Sequence, residues 1–288
     1  MNRQHQRTLR SPIELRGIGL HSGRPVSVTL LPAEADRGIT FVRRDLPGLP
    51  SIPALAEYVS DTTLSTTLSL GPARVQTVEH VMAALAGLAI DNATILVDAA
   101  EMPVLDGSAL PYVTAILQKG IQLLRIPRRF LEIHERIEIQ SGDRKVIFQP
   151  NSLGASVTYV VDYHHPLAGP QLFEQSVDPA DFAAEIAPAR TFCFLKDVEW
   201  MQENGLALGG NTENAVIICN DGYSTPLRFI DEFVRHKALD LIGDLALIGM
   251  PWRGQVIAVR AGHSLHTKLA SQLRAAVYGR KEAIAYAS

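Results

Sequence analysis

The sequence has little cysteine and no long apolar run. Its 288 residues include only Cys193 and Cys219, which are far apart and lack CxxC spacing, so neither a disulfide framework nor a thiolate zinc site is expected. The longest apolar stretches, such as Val81 to Ile90, are much shorter than the roughly 20 residues that cross a bilayer. The polar, basic N-terminus lacks the apolar segment of a signal peptide. We therefore predict a cytoplasmic protein.

A surplus of charge of one sign is also absent. Lys and Arg together number 27 against 30 Asp and Glu, a net charge of −3, which excludes bulk attraction to nucleic acid or anionic lipid. An anionic ligand must then be met by a local group of cations. The composition, 47% hydrophobic and 20% charged, suits a globular chain with two moderate cores. We expect a monomer with no nucleic-acid partner and no transmembrane segment.

Periodicity predicts strands and helices that alternate along the chain. The predicted strands are Val26 to Leu31, Asn92 to Val97, Phe130 to Ile139, Lys145 to Phe148, Ser156 to Asp162, Ala215 to Cys219 and Gln255 to Val259. The predicted helices are His80 to Leu88, Ala109 to Lys119, one that opens at Asp178-Pro179, Lys196 to Asn204, Asp231 to Ile248 and Ser264 to Val277.

A weak internal repeat links the two halves of the chain. His80 and His236 each lie on an apolar helix that is followed by a strand. This favours a duplicated α+β unit with a boundary at residues 126–129. The first domain is then 1–126 and the second 127–288.

The helix predicted at Asp231 to Ile248 is apolar nearly all round, so it is buried. His236, Asp240 and Asp244 nevertheless recur at i, i+4 and i+8 along one face, where an unpaired charge is costly. A histidine and a carboxylate one turn apart can both ligate one zinc ion, with Asp244 hydrogen-bonded behind them. A His–Asp hydrogen bond without a metal is an equally open alternative.

Two further elements complete the inventory of a metallohydrolase. Glu79-His80 stands where a predicted strand turns into a helix, so His80 is a candidate ligand and Glu79 a candidate base for a metal-activated water. Alternatively, Glu79 only favours the start of the helix. His263, beyond the strand Gln255 to Val259, is a candidate proton donor or a surface histidine. The remaining histidines are predicted to be solvent-facing or to lie at strand ends: His5, His21, His134, His164, His165 and His266.

An ordered set of motifs resembles the UDP-3-O-acyl-N-acetylglucosamine deacetylase family, which carries out the committed step of lipid A synthesis in Gram-negative bacteria. The matching segments run from about Arg7 to the C-terminal helix. They are GIGLHSG (17–23), TVEH (77–80), GLAIDN (87–92), PVLDGS (103–108), ARTF (189–192), LGG (208–210), EFVRHKALDLIGD (232–244) and AGH (261–263). The resemblance implies two similar α+β domains, each a sheet with helices on one face, packed as a β-α-α-β sandwich.

The resemblance also implies roles for individual residues. One Zn²⁺ ion would be held by His80, His236 and Asp240. Glu79 would act as general base, and His263 as general acid or electrostatic stabiliser. Asp244 would orient His263, and Thr191 would donate a hydrogen bond to the oxyanion.

Substrate contacts follow from the same resemblance. Phe192 would lie against the uracil, and Lys237 and Lys268 would meet the sugar-diphosphate. An insert at residues 194–223 would form an apolar passage for the acyl chain, lined by Leu206, Ala207, Leu208 and Gly209. The alternatives are a core Phe192, two solvated lysines and an ordinary helix and strand in the insert.

The sequence departs from the family pattern in two places. Ser264-Leu-His-Thr-Lys268 replaces a common Ala-Leu-Asn-Asn-Lys, and Ser65-Thr66-Thr67 stand where some members carry cysteines. Neither departure affects a predicted zinc ligand. Two rival functions stay open: a zinc amidase for another N-acetylated sugar, and a non-catalytic nucleotide-sugar or lipid-binding protein. The second predicts erosion of Glu79 or His263, and both are present.

Overall fold

The computed structural model describes residues 4–285, with side chains as far as residue 276. The outer limits predicted for the two domains, residues 1 and 288, lie outside this range. The α-helices are α1 (Glu79–Gly87), α2 (Leu110–Lys119), α3 (Pro179–Asp181), α4 (Leu195–Glu203), α5 (Glu232–Leu245) and α6 (His263–Ala285). A π-helix covers Phe182–Ile186, and 3-10 turns cover Ala56–Tyr58 and Ala246–Ile248.

The strands of the first half are β1 (His5–Leu9), β2 (Ile13–Ile18), β3 (Pro25–Pro32), β4 (Ile39–Arg43), β5 (Ser51–Pro53), β6 (Val59–Asp61), β7 (Thr67–Leu70), β8 (Ala73–Val75), β9 (Ala93–Val97) and β10 (Ile121–Pro127). Those of the second half are β11 (Ile137–Ser141), β12 (Arg144–Gln149), β13 (Ala155–Val161), β14 (Gln171–Ser176), β15 (Phe192–Phe194), β16 (Val216–Ile218) and β17 (Gly254–Val259).

Two five-stranded sheets have the same strand order and the same pairing directions. The first runs β2-β3-β9-β4-β5 and the second β11-β12-β17-β13-β14. In each sheet the central strand is parallel to one neighbour, β9 to β4 and β17 to β13, and the other pairs are antiparallel. The predicted class of two similar α+β units is therefore confirmed. The boundary at residues 126–129 stays a prediction.

The helices lie between the two sheets. Helix α1 packs against α5, α2 packs against α1 and β2, and α5 and α6 pack against strands of the second sheet. Apolar side chains from both sheets and from these helices form one continuous core. This is the β-α-α-β order that the family resemblance implies. It places the first turn of α1 beside the C-terminal half of α5.

The approach of α1 to α5 depends on a glycine. A Cβ atom at Gly243 would lie 2.1 Å from the backbone oxygen of Glu79. Because that contact is with backbone and not with the end of a flexible side chain, a larger residue would push the helices apart. Gly243 thereby sets the distance between His80 on α1 and the polar face of α5.

Replacing Gly243 with alanine is expected to lower the free energy of unfolding by about 2 kcal/mol, the usual cost of overpacking a core. Urea denaturation monitored by circular dichroism measures this change. Gly222→Ala is the matched control, since a Cβ there meets nothing within 4 Å. Equal denaturation midpoints for the two variants would contradict the close-packing role of Gly243.

Several predicted elements differ from the structure. Within Phe130 to Ile139 only the last three residues join β11; Leu131 instead forms a single bridge with Trp252. Asp178 caps α3 as expected, accepting a hydrogen bond from the Ala180 backbone N–H, but the helix converts to a π-helix after three residues. Helix α5 ends at Leu245, and the chain turns at Gly249 with φ of 80°. Within residues 4–285, no helix has both the length and the apolar character needed to span a membrane.

Candidate metal centre and active site

Three buried side chains from α1 and α5 converge between the sheets. Asp240 Oδ1 lies 3.4 Å from His236 Nε2 and 3.9 Å from His80 Nε2. The ligand atoms of the three residues all lie within 4.8 Å of one another. Two ligand atoms about 2.1 Å from a tetrahedral ion are about 3.4 Å apart. The spacing of His80, His236 and Asp240 therefore suits a single ion of that kind.

The protonation states of these residues also suit a divalent cation. Burial, reinforced by His236, lowers the pKa of His80 to about 3, and burial lowers the pKa of His236. Burial alone would raise the pKa of Asp240, but His236 and Lys237 hold it well below its usual value. His236 Nδ1 donates to the Ala189 carbonyl at 3.0 Å, which leaves Nε2 unprotonated. Two neutral imidazoles and one carboxylate are typical zinc ligands.

Glu79 lies beside this trio without belonging to it. Its Oε2 accepts a hydrogen bond from the Thr66 backbone N–H at 3.0 Å. Burial raises the pKa of Glu79 to about 8, although the charge of His263 opposes this shift. A buried carboxyl group with a raised pKa is suited to accept and return a proton near neutral pH.

His263 begins α6 and lines the same cavity as Glu79. Its Nδ1 lies 2.8 Å from Asp244 Oδ2, and its Nε2 lies 4.0 Å from Asp240 Oδ2. Burial by itself would lower the pKa of His263, but Asp244 and Asp240 raise it to about 9. His263 is therefore cationic at neutral pH and has a proton to give.

The other predicted contacts surround a cavity of about 560 Å³. Thr191, Phe192, Lys237 and Lys268 all line it. Phe192 packs against Phe233 with ring centroids 4.7 Å apart, and Lys237 Nζ lies 5.6 Å from the centroid of the Phe192 ring. Lys237 also donates to Asp240 Oδ2 at 2.8 Å. Lys268 is exposed at the rim.

The insert at residues 194–223 supplies the apolar wall of the cavity. This wall consists of Phe194, Val198, Trp200, Met201 and Ile217, and Ala207 also lines the cavity. Leu206, Leu208 and Gly209 are not among the residues that line this cavity, and their place in the acyl passage stays a prediction. Gly209 instead donates its backbone N–H to the Leu20 carbonyl, and a Cβ there would lie 2.3 Å from the Gly19 oxygen.

Sequence reasoning missed three residues. His21 and His266 were expected to be solvent-facing or to lie at strand ends, but both are buried. His21 lines the cavity and His266 contacts Asp244. His266 follows His263 by three residues, and this helical spacing was the available signal. Thr66, which the sequence marks only as a departure from the family pattern, precedes β7, and its hydroxyl donates to Asp244 Oδ1 at 2.5 Å.

Backbone strain also marks the site. Thr77, which lines the cavity two residues before Glu79, has a φ of 59°. A β-branched residue rarely adopts this left-handed conformation, and strain of this kind clusters at functional sites. The Thr77 hydroxyl donates to Glu101 Oε1 at 3.3 Å, and the His21 backbone N–H donates to the same atom at 2.7 Å.

Comparison with known proteins identifies a single family. Residues 6–275 match the family described as UDP-3-O-acyl N-acetylglycosamine deacetylase. Three relatives carry the name UDP-3-O-acyl-N-acetylglucosamine deacetylase. The protein from Anaeromyxobacter dehalogenans is 48% identical over 273 residues, covering 94% of this chain and 88% of the relative. Those from Myxococcus xanthus and Pseudomonas entomophila are 46% and 43% identical over 267 and 272 residues, covering 92% and 93% of this chain and 85% and 89% of the relatives.

Proposed function

The chain belongs to the UDP-3-O-acyl N-acetylglycosamine deacetylase family, and from this premise we propose that its buried centre uses one zinc ion to hydrolyse the N-acetyl amide of UDP-3-O-acyl-N-acetylglucosamine. The reaction releases acetate and serves lipid A biosynthesis. One observation carries the proposal. The ligand atoms of His80, His236 and Asp240 lie within 4.8 Å of one another, and the same cavity holds Glu79, whose pKa is raised, and the cationic His263.

The metal would be held by His80, His236 and Asp240. A divalent ion, when bound there, supplies Lewis-acid stabilisation of the amide oxygen and lowers the pKa of a water molecule. Two imidazoles and one carboxylate favour zinc over the oxygen-seeking ions calcium and magnesium.

The chain's own groups provide the proton transfers. Glu79 takes a proton from the attacking water as its oxygen bonds to the acetyl carbon. The Thr191 hydroxyl donates a hydrogen bond to the carbonyl oxygen, where negative charge develops. His263 then gives its Nε2 proton to the amide nitrogen, so that the C–N bond breaks with a neutral amine as the leaving group. Asp244 keeps His263 cationic until that step.

Substrate contacts are proposed around the same cavity. Phe192 would pack against the uracil, while Lys237 and Lys268 would face the diphosphate. The wall formed by Phe194, Val198, Trp200, Met201 and Ile217 offers an apolar path for the acyl chain. The domain assignment is part of this proposal: residues 1–126 carry Glu79 and His80, and residues 127–288 carry the other catalytic groups. The cytoplasmic location and the monomeric state stay predictions.

Acetate release is expected to depend on the acyl chain. Without the 3-O-acyl group, kcat/KM should fall by about 100-fold or more, because burying four methylenes at about 0.8 kcal/mol each is worth about that factor. Acetate release from UDP-3-O-acyl-N-acetylglucosamine and from UDP-N-acetylglucosamine measures the ratio. Trp200→Ala, which opens the apolar wall, should reduce this preference.

The rival functions give different results in the same assay. A zinc amidase for another N-acetylated sugar predicts similar, low rates for the two substrates. A binding protein predicts no acetate from either, together with saturable binding of the acylated nucleotide sugar. Either result would contradict the proposed function.

A further inference from the structure

Behind His263 and Asp244 lie three buried side chains that the steps above do not use: His266, Tyr159 and Thr66. Asp244 Oδ2 is 2.8 Å from His263 Nδ1 and also 2.9 Å from His266 Nδ1. Asp244 Oδ1 accepts a hydrogen bond from the Thr66 hydroxyl at 2.5 Å. The other nitrogen of His266, Nε2, lies 3.0 Å from the Tyr159 hydroxyl oxygen. Asp244, His266, Tyr159 and Thr66 are all fully buried.

The direction of each hydrogen bond follows from the chemistry of the groups. Burial alone would raise the pKa of Asp244, but His263 and His266 keep it below its usual value. An ionised carboxylate only accepts hydrogen bonds, so the Nδ1 atom of His266 must carry a proton. Burial lowers the pKa of His266, and the ring is therefore neutral with a bare Nε2. The Tyr159 hydroxyl then donates to Nε2.

Three elements bring these groups together. Asp244 lies near the end of α5, His266 lies one turn after His263 on α6, and Tyr159 lies on β13. The carboxylate of an aspartate rotates in a broad torsional well, so its plane is set by its hydrogen-bond partners. Thr66 holds one oxygen and His266 holds the other. The carboxylate plane is consequently fixed before His263 binds to it.

We propose that His266 and Tyr159 are positioning residues that fix the Asp244 carboxylate, so that Asp244 holds His263 with Nε2 directed into the reaction cavity. The role rests on the proposed function, since it concerns the orientation of the proton donor. Hydrogen-bond partners behind a catalytic group commonly control its geometry in this way. Neither residue needs to touch substrate or metal.

The hydrogen-bond directions can be measured without turnover. In the full chain with ¹⁵N-labelled histidine, NMR should show His266 as the neutral ring with the proton on Nδ1. The signal is assigned by its loss in His266→Asn. A proton on Nε2 of a neutral ring, or a cationic ring, would overturn the proposal, because the Tyr159–His266–Asp244 order of donors would then be different.

Two substitutions at His266 distinguish the effect of its hydrogen-bond donor from the effect of its packing. His266→Leu fills the buried space without a donor, and we expect kcat to fall about tenfold with KM changed less than about twofold. His266→Asn is smaller, but its side-chain N–H can replace the Nδ1–H donor, so kcat should stay within about threefold of wild type. If packing alone matters, the order reverses and Leu is the better replacement, which would overturn the positioning role.

Tyr159→Phe tests the hydrogen bond between the Tyr159 hydroxyl and His266 Nε2. It should lower kcat by about threefold in the wild-type background and have no further effect in His266→Asn, where the short amide no longer meets the hydroxyl. Tyr112→Phe is the matched control, because it removes a buried hydroxyl that donates to the Pro103 carbonyl at 2.9 Å, and kcat should be unchanged. Additive losses at positions 159 and 266 would overturn the coupling.

Metal content and wild-type turnover distinguish failure of the proposed function from failure of the positioning role alone. No acetate release from wild-type, zinc-loaded protein overturns the proposed function and the positioning role with it. Release by wild type, together with an equally active and equally metal-loaded His266→Leu variant, overturns the positioning role alone.

Discussion

Replacing Glu79 with glutamine is expected to lower kcat for acetate release by about 1000-fold while the protein keeps its metal ion. The size of the effect is that of removing a general base, about 10² to 10⁴. Glutamine has nearly the same shape, and its carbonyl oxygen can still accept the hydrogen bond from the Thr66 backbone N–H. The change therefore removes the proton acceptor and leaves the packing in place.

Metal retention follows from the geometry. In the proposed site His80, His236 and Asp240 supply the ligand atoms, whereas Glu79 is held by Thr66. Zinc per chain, measured by atomic absorption, should equal that of wild type. Glu79→Ala should lose turnover to a similar degree, since neither replacement accepts a proton.

The control for Glu79 is a carboxyl group at the far end of α1. Asp91 Oδ1 pairs with Arg128 Nε at 2.7 Å, beyond the last turn of the helix. Asp91→Asn should lower stability and leave kcat unchanged at a temperature where both proteins are folded. Turnover close to wild type in metal-loaded Glu79→Gln would exclude Glu79 as the base.

The sequence predicts the two central helices well because their signal is local. Helices α1 and α5 are apolar on nearly every face, and their predicted limits lie within three residues of the observed ones. The short strands β5, β6 and β8 have no such signal. Each has three residues, which is too short for a periodicity of its own, so its existence depends on pairing with a neighbouring strand.

The candidate site likewise has residues that a local pattern predicts and residues that only the fold brings together. His236, Asp240 and Asp244 are evident as a polar stripe on a buried helix, because one helix determines their spacing. The meeting of this stripe with His80 depends on the close contact at Gly243, which no periodicity describes. The role of His266 is not evident from the predicted helix Ser264 to Val277, because its partner Asp244 lies 22 residues earlier on another helix. Thr66 has no chemical signature of its own, and only the fold brings it to Asp244.

Removing the metal is expected to abolish acetate release, and restoring one equivalent of zinc is expected to return it. Without a cation, the carboxylate of Asp240 is balanced by Lys237, and no other described group in the cavity can supply Lewis-acid chemistry. Protein dialysed against a chelator and then against metal-free buffer is the starting material. Acetate release and zinc content are measured on the same samples.

The choice of metal tests the ligand set. Zinc and, under anaerobic conditions, ferrous iron should restore turnover, because both bind imidazole nitrogen. Magnesium should not, because it prefers oxygen ligands and gives up its water shell reluctantly. Asp240→Asn removes the one charged ligand, so it should fail to retain zinc after dialysis. Full activity of zinc-free protein would exclude the metal centre.

Zinc should also stabilise the folded chain. A ligand that binds only the native state at about 1000 times its dissociation constant adds about 4 kcal/mol to the free energy of unfolding. The midpoint of thermal unfolding should therefore rise on adding zinc to wild type and stay constant in Asp240→Asn. This comparison distinguishes loss of the ion from loss of the fold. A metal-free chain that keeps its circular dichroism spectrum but releases no acetate has lost only its metal. Return of activity with zinc is then due to binding of the ion by the three buried ligands.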